Sequence, residues 1–150
     1  MKDLDRIDNN ILQTLSNDGR ISNSELANKV GLSASACLRR VQELERSGVI
    51  SGYRGVINPT MVGIDCIAYV GIGLNNHSKE SQCAFEFAMS LADEVKECHN
   101  VTGAYEYLLR VETASLNRYK AFHRDVLGVV PQVTSITTFM VMESSKDCRA

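Results

Sequence analysis

Residues 22–48, SNSELANKVGLSASACLRRVQELERSG, predict two helices separated by a tight turn that contains glycine. Ser22 and Glu25 have the spacing of a capping box, in which each side chain accepts a hydrogen bond from the other residue's backbone N–H. Gly31 suits the end of the first helix, because glycine adopts the left-handed backbone conformation at little cost. Ser33 is the expected N-cap of the longer second helix. This arrangement is typical of a helix-turn-helix.

A further helix precedes this motif. Asp5 is its expected N-cap, and Asn17-Asp18-Gly19 ends it with residues that favour turns. The apolar residues between these two points recur at the spacing of one helix face, namely at Ile7, Ile11, Leu12 and Leu15. The opening 50 residues therefore predict a small helical domain built around the helix-turn-helix.

The longer helix after Ser33 has two different sides. At about 100° per residue, Cys37, Val41 and Leu44 point towards a core. The opposite side begins with small serines and continues with arginines, whose guanidinium groups can bind guanine edges or phosphates in a DNA major groove. We therefore predict a DNA-binding face, although a merely solvated helix surface is the alternative; its members are Ser33, Ser35, Arg39, Arg40 and Arg46.

Residues 49–57 are rich in β-forming side chains with interspersed glycines, and Asn58-Pro59 follows. This pattern favours a strand hairpin, or wing, and then a linker. Arg54 in this segment either contacts a DNA phosphate or is a free surface arginine. The predicted division is a helix-turn-helix domain at 1–50, a wing strand and linker at 51–63, and a second domain at 64–150.

Strands and helices alternate in the second domain. Strands are predicted at 66–74, 95–101, 105–111 and 133–142, and helices follow the N-caps Ser78 and Ser115. The order β-α-β-β-α-β is that of a ferredoxin-like fold, with four antiparallel strands and both helices on one sheet face. We thus predict an α+β protein, with a winged helix-turn-helix domain followed by a ferredoxin-like domain. The uncovered sheet face is expected to pair with a second copy around a twofold axis.

Composition restricts the function classes. The chain of 150 residues has a net charge of −2 at pH 7, but residues 1–57 carry eight basic against seven acidic side chains, so an overall negative charge does not exclude a DNA-binding front end. No apolar run approaches the roughly 18 residues of a membrane span, and no secretory signal is visible. The five cysteines form no CxxC pair and are expected to be reduced thiols. We expect a cytoplasmic protein without a membrane partner or a cofactor.

Several blocks of sequence resemble the Lrp/AsnC, or feast/famine, family of transcription regulators. The first half matches in LDRID at 4–8, ELA at 25–27, VGLS at 30–33, LRRVQELE at 38–45 and GVI at 48–50. The segment CHNVTGAYEYLL at 98–109 is similar to the family's effector-loop pattern, in which a glycine is followed two and three residues later by an aromatic and an acidic residue. Together these blocks cover almost the whole chain in the order typical of the family.

The resemblance implies a homodimer, often assembled further into tetramers or octamers, that binds double-stranded DNA and a small effector, usually an amino acid. The effector positions that it implies here are Val101, Thr102, Gly103, Tyr105, Glu106, Thr137 and Thr138. A zwitterion requires donors for its carboxylate and an acceptor for its ammonium group, and Glu106 could supply the acceptor. Glu106 departs from the commoner aspartate at this position. Its alternative interpretation is a hairpin acid paired with a neighbour such as Arg110.

Two other function classes compete with a DNA-binding regulator. Siroheme decarboxylases resemble this family in both halves, so the fold alone does not exclude an enzyme. However, His99, His123, Arg110 and Arg118 do not converge at a spacing that suits tetrapyrrole carboxylates. A metal or thiol sensor is the second rival, but Cys98 and His99 are adjacent on a predicted strand and leave opposite faces. We expect no catalytic residues and no metal site, and we expect Cys66 and Cys83 to be buried thiols.

Overall fold

A computed structural model describes residues 3–147 of the chain. The chain divides between Val56 and Ile57 into two compact units. None of the helices in the described range is long and apolar enough to cross a membrane. The described cysteines Cys37, Cys66, Cys83 and Cys98 are all free thiols, and Cys148 lies outside the described residues.

The N-terminal unit consists of three helices, α1 (Arg6–Asn17), α2 (Asn23–Val30) and α3 (Ala34–Arg46). Their predicted caps are confirmed. Asp5 and Ser22 each form a capping box, and Ser33 Oγ accepts the Ala36 N–H at the start of α3. Gly31 ends α2 at φ 73°, in the left-handed region that favours glycine. Local sequence signals therefore determine where each helix begins and ends.

A small apolar core holds these three helices together. Its fully buried members come from all three, and they are Ile11, Leu26, Ala27, Cys37 and Leu44. Cys37 and Leu44 lie on the predicted inner side of α3, and Val41 packs against the same core. Burial of a leucine or isoleucine side chain stabilises a fold by about 1.5–3 kcal/mol. The core thus fixes the rotation of α3 and keeps its opposite side in solvent.

The predicted wing hairpin is wrong. The described backbone forms no strand between the end of α3 and a 3₁₀ turn at Thr60–Val62, and almost every residue from Ser51 to Ile57 is exposed. Tyr53 is held by its hydroxyl, which donates to Glu45 Oε1 at 2.9 Å. A β-rich sequence pairs as a strand only where a second backbone is available beside it. Within this chain the segment is therefore extended but unpaired.

The C-terminal unit has the predicted ferredoxin-like fold. It contains β1 (Cys66–Leu74), α4 (Lys79–Ser90), β2 (Val95–Asn100), β3 (Tyr107–Thr113), α5 (Leu116–Asp125) and β4 (Val133–Met140). The strands are antiparallel in the order β2-β3-β1-β4, so the first and third strands are central. A register shift after Gly73 marks a bulge between β1 and β4.

Both helices pack on one face of this sheet. Val70, Ile72 and Leu109 are fully buried there against Phe85 of α4 and Phe122 of α5. Because strand side chains alternate between faces, the opposite face carries Tyr69, Gly71, Gly73, Leu108, Arg110, Ser135, Thr137 and Phe139. We call this helix-free side the open face.

The two thiols that are expected from the sequence to be buried, those of Cys66 and Cys83, differ in their exposure to solvent. Cys66 is partly buried on β1, but Cys83 is exposed on α4, so the prediction of a buried Cys83 is wrong. Phe85 and Met89 lie on the side of α4 that faces the core, so Cys83 and Phe87 lie on the solvent side. Cys98 is exposed on β2, but partial desolvation of its thiol, together with the nearby Glu86, raises the pKa of that thiol to about 11.

Candidate nucleic-acid interface and effector site

The outer side of α3 is the candidate nucleic-acid interface. Ser33, Ser35 and Arg39 are all exposed on this side, while Cys37 and Leu44 on the inner side are completely buried. Ser33 Oγ lies 3.3 Å from both the Ala36 backbone nitrogen and Ser35 Oγ, so its first role is to cap the helix. The arrangement places one free guanidinium group one turn after two small hydroxyl side chains.

Gln42 is a member of this surface that the sequence interpretation missed. It is exposed and lines a shallow polar depression together with Arg39, Arg40 and Arg46. Its position three residues after Arg39 places it on the same helix side, so helical spacing could have identified it. A glutamine amide can donate to and accept from adenine in the major groove.

Arg40 occupies a different position from Arg39. Its Nη1 lies 2.7 Å from Asp5 Oδ2 and 2.8 Å from Asp8 Oδ1, so the guanidinium bridges α3 to both carboxylates of the α1 capping box. These hydrogen bonds raise the pKa of Arg40. The pKa of Asp5 is lowered, mainly because it accepts the Asp8 N–H and also because Arg40 donates to it.

Arg46 and Arg54 are exposed, but their surroundings differ. Arg46 Nε and Nη2 each lie 2.8 Å from a carboxylate oxygen of Glu43, in a bidentate ion pair at the end of α3. Arg54 lies in the extended segment after the helix-turn-helix. The structure therefore leaves Arg39 directed outwards, and it places Arg40 and Arg46 in contact with acidic side chains of the same unit.

The candidate effector site lies at the loop that connects β2 to β3. The Val101 N–H donates to Glu106 O at 2.9 Å and closes the loop, and Gly103 at its tip has φ 131°. Thr102 and Gly103 are exposed, whereas Tyr105 and Glu106 are partly buried. A β-branched residue is strained at such a positive φ, so the tip conformation depends on glycine.

Glu106 is oriented by its neighbours. Its backbone N–H donates to Ile72 O, and its Oε2 accepts the Leu74 N–H at 3.1 Å. The other carboxylate oxygen lies 3.3 Å from His77 Nδ1. The suggested pairing of Glu106 with Arg110 is wrong, because Arg110 forms its ion pair with Glu112 on the same strand. The contact of His77 with Glu106 could not have been found from local sequence, because the two residues are distant along the chain.

Two glycines of β1 make room beside Glu106 on the open face. A Cβ atom at Gly71 would lie 2.6 Å from the Tyr105 ring, and one at Gly73 would lie 2.3 Å from Ser135 Oγ. Tyr105 also contacts the Phe139 ring edge-on, with centroids 6.4 Å apart. The site therefore combines one carboxylate, two aromatic rings and a backbone surface without side chains.

Thr137 and Thr138 project to opposite faces of the sheet. Thr137 pairs with Gly71 in the β1–β4 register and shares the open face with the loop residues. Thr138 Oγ1 is hydrogen-bonded to the Tyr119 hydroxyl of α5 on the helix-covered face. The structure thus brings Thr137 to the candidate effector site but does not bring Thr138 there.

The described residues contain no group of three or more histidine, cysteine or acidic side chains that could hold a metal ion. Cys98 and His99 leave opposite faces of β2, as the strand alternation predicts, because His99 contacts Glu97 on the open face. His99 and His123 lie on different elements, β2 and α5.

Family models match both units of the chain. A model described as winged helix-turn-helix DNA-binding matches residues 4–51, and one described as the Lrp/AsnC ligand binding domain matches residues 67–150. The chain is 41% identical over 145 residues to the leucine-responsive regulatory proteins of Escherichia coli K12 and Salmonella typhimurium, which covers 97% of this chain and 88% of each relative.

Solved structures give the same result. A transcriptional regulator from Neisseria meningitidis in complex with L-Met has a TM-score of 0.93 and 30% identity, over 97% of this chain and 94% of that one. A feast or famine regulatory protein from M. tuberculosis complexed with L-methionine has a TM-score of 0.84 and 31% identity, over 97% and 96%. AsnC of E. coli has a TM-score of 0.88 and 25% identity, with 97% of each chain covered.

Proposed function

The chain belongs to the Lrp/AsnC family of DNA-binding transcription regulators, and from this premise we propose which residues carry its action. The outer side of α3 reads duplex DNA. An amino acid binds at the β2–β3 loop and changes how twofold dimers of the chain assemble. Membership of a regulator family, rather than of an enzyme family, does not favour the siroheme decarboxylase alternative.

Arg39 is the proposed base-reading residue, with Ser35 and Gln42 beside it. The observation that carries this proposal is the rotation of α3, in which Cys37 and Leu44 are completely buried and Arg39 is exposed on the other side. An unpaired guanidinium can bind both acceptors of a guanine edge. Arg54 is proposed to contact a phosphate of the DNA backbone. Arg46 can contact a phosphate only if that phosphate displaces the Glu43 carboxylate from its ion pair.

Arg40 is proposed to hold α3 in place rather than to read bases. Two carboxylates of α1 anchor its Nη1 group, so a DNA contact could come only from the remaining Nε and Nη2 donors of a side chain held against α1. Arg40 also compensates the charge of Asp5 and Asp8, which would otherwise repel a nearby phosphate backbone. This role refines the DNA-binding face inferred from the sequence, and it separates Arg40 from Arg39.

Glu106 is the proposed acceptor for the ammonium group of the effector. It lies on the open face and keeps a lone pair available after it accepts the Leu74 N–H. The backbone N–H groups around Gly103, together with Thr102 and Thr137, are proposed donors for the effector carboxylate. The rings of Tyr105 and Phe139 suit an apolar side chain, and two structurally similar regulators are complexes with methionine.

The open face is the proposed dimer interface. Phe139 is 51% exposed on this face although the opposite face is closely packed. A half-covered antiparallel sheet in water most simply buries such residues against a second copy. A twofold dimer carries two recognition helices, and tetramers or octamers of such dimers could bind several sites on one DNA. A protein with this partner is expected to act in the cytoplasm, where bacterial DNA lies.

The proposal is tested by selecting duplexes from a random pool with the full chain and measuring binding by fluorescence anisotropy across salt concentrations. We expect sequence preference and a steep loss of affinity with salt, because bound arginines release counterions. Screening the twenty amino acids by thermal shift then identifies the effector, since a ligand that binds only the folded state raises its melting temperature. Binding without sequence preference and with a flat salt dependence would contradict the proposal.

A further inference from the structure

A second cavity of the C-terminal unit lies on the helix-covered side of the sheet, between α5 and the edge strand β4. Its volume is about 530 Å³, within the range of small-molecule sites. Leu116, Tyr119 and Met140 supply its apolar surface. We call it the α5–β4 cavity. It is separate from the effector site, because Thr138 lines it while the loop residues lie on the open face.

The polar groups at the floor of this cavity satisfy each other. The Tyr119 hydroxyl is hydrogen-bonded to Thr138 Oγ1, and the Tyr119 ring is 5% exposed. His123 contacts the same ring edge-on, with centroids 6.2 Å apart. Neither hydroxyl at the floor is therefore unpaired, and the exposed apolar side chains of Leu116 and Met140 beside it favour an apolar ligand body.

Basic side chains form the rim of the cavity. Lys120, His123 and Arg124 line it, and none of its lining residues is acidic. Arg124 Nε and Nη2 lie 2.6 and 2.8 Å from the two carboxylate oxygens of Asp125, so that guanidinium is already paired. Lys120 supplies a positive charge, and the imidazole of His123 can donate a hydrogen bond.

We propose that the α5–β4 cavity binds an organic anion that has an aromatic or branched apolar body and no ammonium group, such as a 2-oxo acid. The apolar surface takes the body, and Lys120 and His123 bind the carboxylate. An amino acid suits the site less well, because no acidic side chain lines the cavity to pair with its ammonium group. The effector site has the opposite preference, since Glu106 provides an acceptor for that ammonium group.

Three ligands that share a phenyl body, together with inorganic phosphate, test which chemical groups the cavity recognises. Phenylpyruvate, phenylalanine and phenethylamine share a phenyl group but differ in charge, and inorganic phosphate tests an anion without an apolar body. We expect isothermal titration calorimetry with the full chain to detect phenylpyruvate binding and to detect neither phenethylamine nor phosphate at the same concentration. Binding of phenethylamine with equal affinity would overturn the proposal.

The Lys120→Gln variant tests the rim, with Lys79→Gln on α4 as the matched control outside the cavity. We expect Lys120→Gln to weaken phenylpyruvate binding about tenfold, as befits the loss of one charge-assisted contact. The control and Glu106→Gln should leave that affinity unchanged. If Glu106→Gln abolishes phenylpyruvate binding, the ligand occupies the effector site and the cavity proposal is wrong.

Methionine methyl NMR locates the ligand. Met140 lines the cavity, whereas Met61 lies in the 3₁₀ turn and Met89 lies in the core. Phenylpyruvate is expected to shift the Met140 methyl signal, assigned with Met140→Leu, while the Met61 and Met89 signals stay in place. If the cavity only contacts DNA phosphate, Lys120→Gln should weaken operator binding and phenylpyruvate should leave the Met140 signal in place. That result would overturn the cavity proposal but leave the DNA-binding assignment intact.

Discussion

Arg40 and Asp8 are 32 residues apart in the sequence, yet Arg40 Nη1 lies 2.8 Å from Asp8 Oδ1. Asp8 is buried and belongs to the α1 capping box, so one carboxylate both begins α1 and anchors α3. The ion pair ties the position of α3, the proposed recognition helix, to α1. A contact of this kind separates two neighbouring arginines, Arg39 and Arg40, that the sequence analysis assigned to the same DNA-binding face.

The first prediction compares Arg39→Ala with Arg40→Ala in operator binding. Loss of a bidentate guanine contact by Arg39→Ala should cost about 1–3 kcal/mol of binding and relax the preference at one base pair. Arg40→Ala should weaken binding less, keep the base preference and lower the melting temperature of the protein. Anisotropy titrations on operator and scrambled duplexes, with thermal melts, measure all three quantities. An Arg40 variant with normal stability but relaxed base preference would show that Arg40 reads DNA.

The second prediction concerns acid. The pKa of Asp5 is below its ordinary value of 3.8, first because the Asp8 N–H donates to it and next because Arg40 does. A lowered folded-state pKa contributes stability above the unfolded value, and this contribution is lost as the pH falls through the folded value. Asp5→Asn should therefore melt below the wild-type chain at pH 6, and the difference in melting temperature should narrow as the pH falls below 3.8. A difference in melting temperature that stays constant as the pH falls would contradict the assignment of these hydrogen bonds to the Asp5 carboxylate.

Local signals in the sequence were sufficient for much of this fold. Capping residues, glycine turns and apolar periodicity predicted the five α-helices and the four strands found in the described residues. The Arg40 ion pairs and the His77–Glu106 contact were not predictable, because each joins elements that are distant in sequence. Thr137 and Thr138 were both assigned to the effector site, although adjacent residues of a strand project to opposite faces. Strand alternation could therefore have excluded one of them, but only the β1–β4 register shows that Thr137 is the one on the open face.

The third prediction tests Glu106 as the ammonium acceptor. Glu106→Gln retains an oxygen for the Leu74 N–H but loses the charge, so the loop should keep its fold while the amino-acid response disappears. Operator affinity without effector should stay near the wild-type value. Glu80→Gln, an exposed acid on α4, is the matched control and should respond normally. If the same amino acid still raises the melting temperature of Glu106→Gln, Glu106 is not part of the effector site.

The fourth prediction tests the open face as the dimer interface. Phe139→Glu places a charge on that face and should convert the dimer to a monomer, because a buried unpaired carboxylate is costly. Phe87→Glu is the control, since Phe87 is 66% exposed on the solvent side of α4. Light scattering after size-exclusion chromatography measures the mass of each variant. If Phe139→Glu stays dimeric, the interface lies elsewhere.

The fifth prediction concerns the space beside Tyr105. Gly71→Ala puts a methyl group 2.6 Å from the Tyr105 ring, so the ring must move, and overpacking of this kind costs about 1–3 kcal/mol of stability. Gly73→Ala should cost less, because the nearest atom is the hydroxyl of Ser135, which can rotate away. Unfolding in urea measures both variants.

A double-mutant cycle then isolates the Gly71–Tyr105 contact. Gly71→Ala in a Tyr105→Ala background should lose most of its cost, because the ring that the new methyl group would meet is gone. The same two variants should report on the effector site, since Tyr105 displaced by Gly71→Ala can no longer pack on an apolar side chain of the ligand. Equal costs of Gly71→Ala in both backgrounds would mean that the glycine is required for the strand backbone and not for the position of Tyr105.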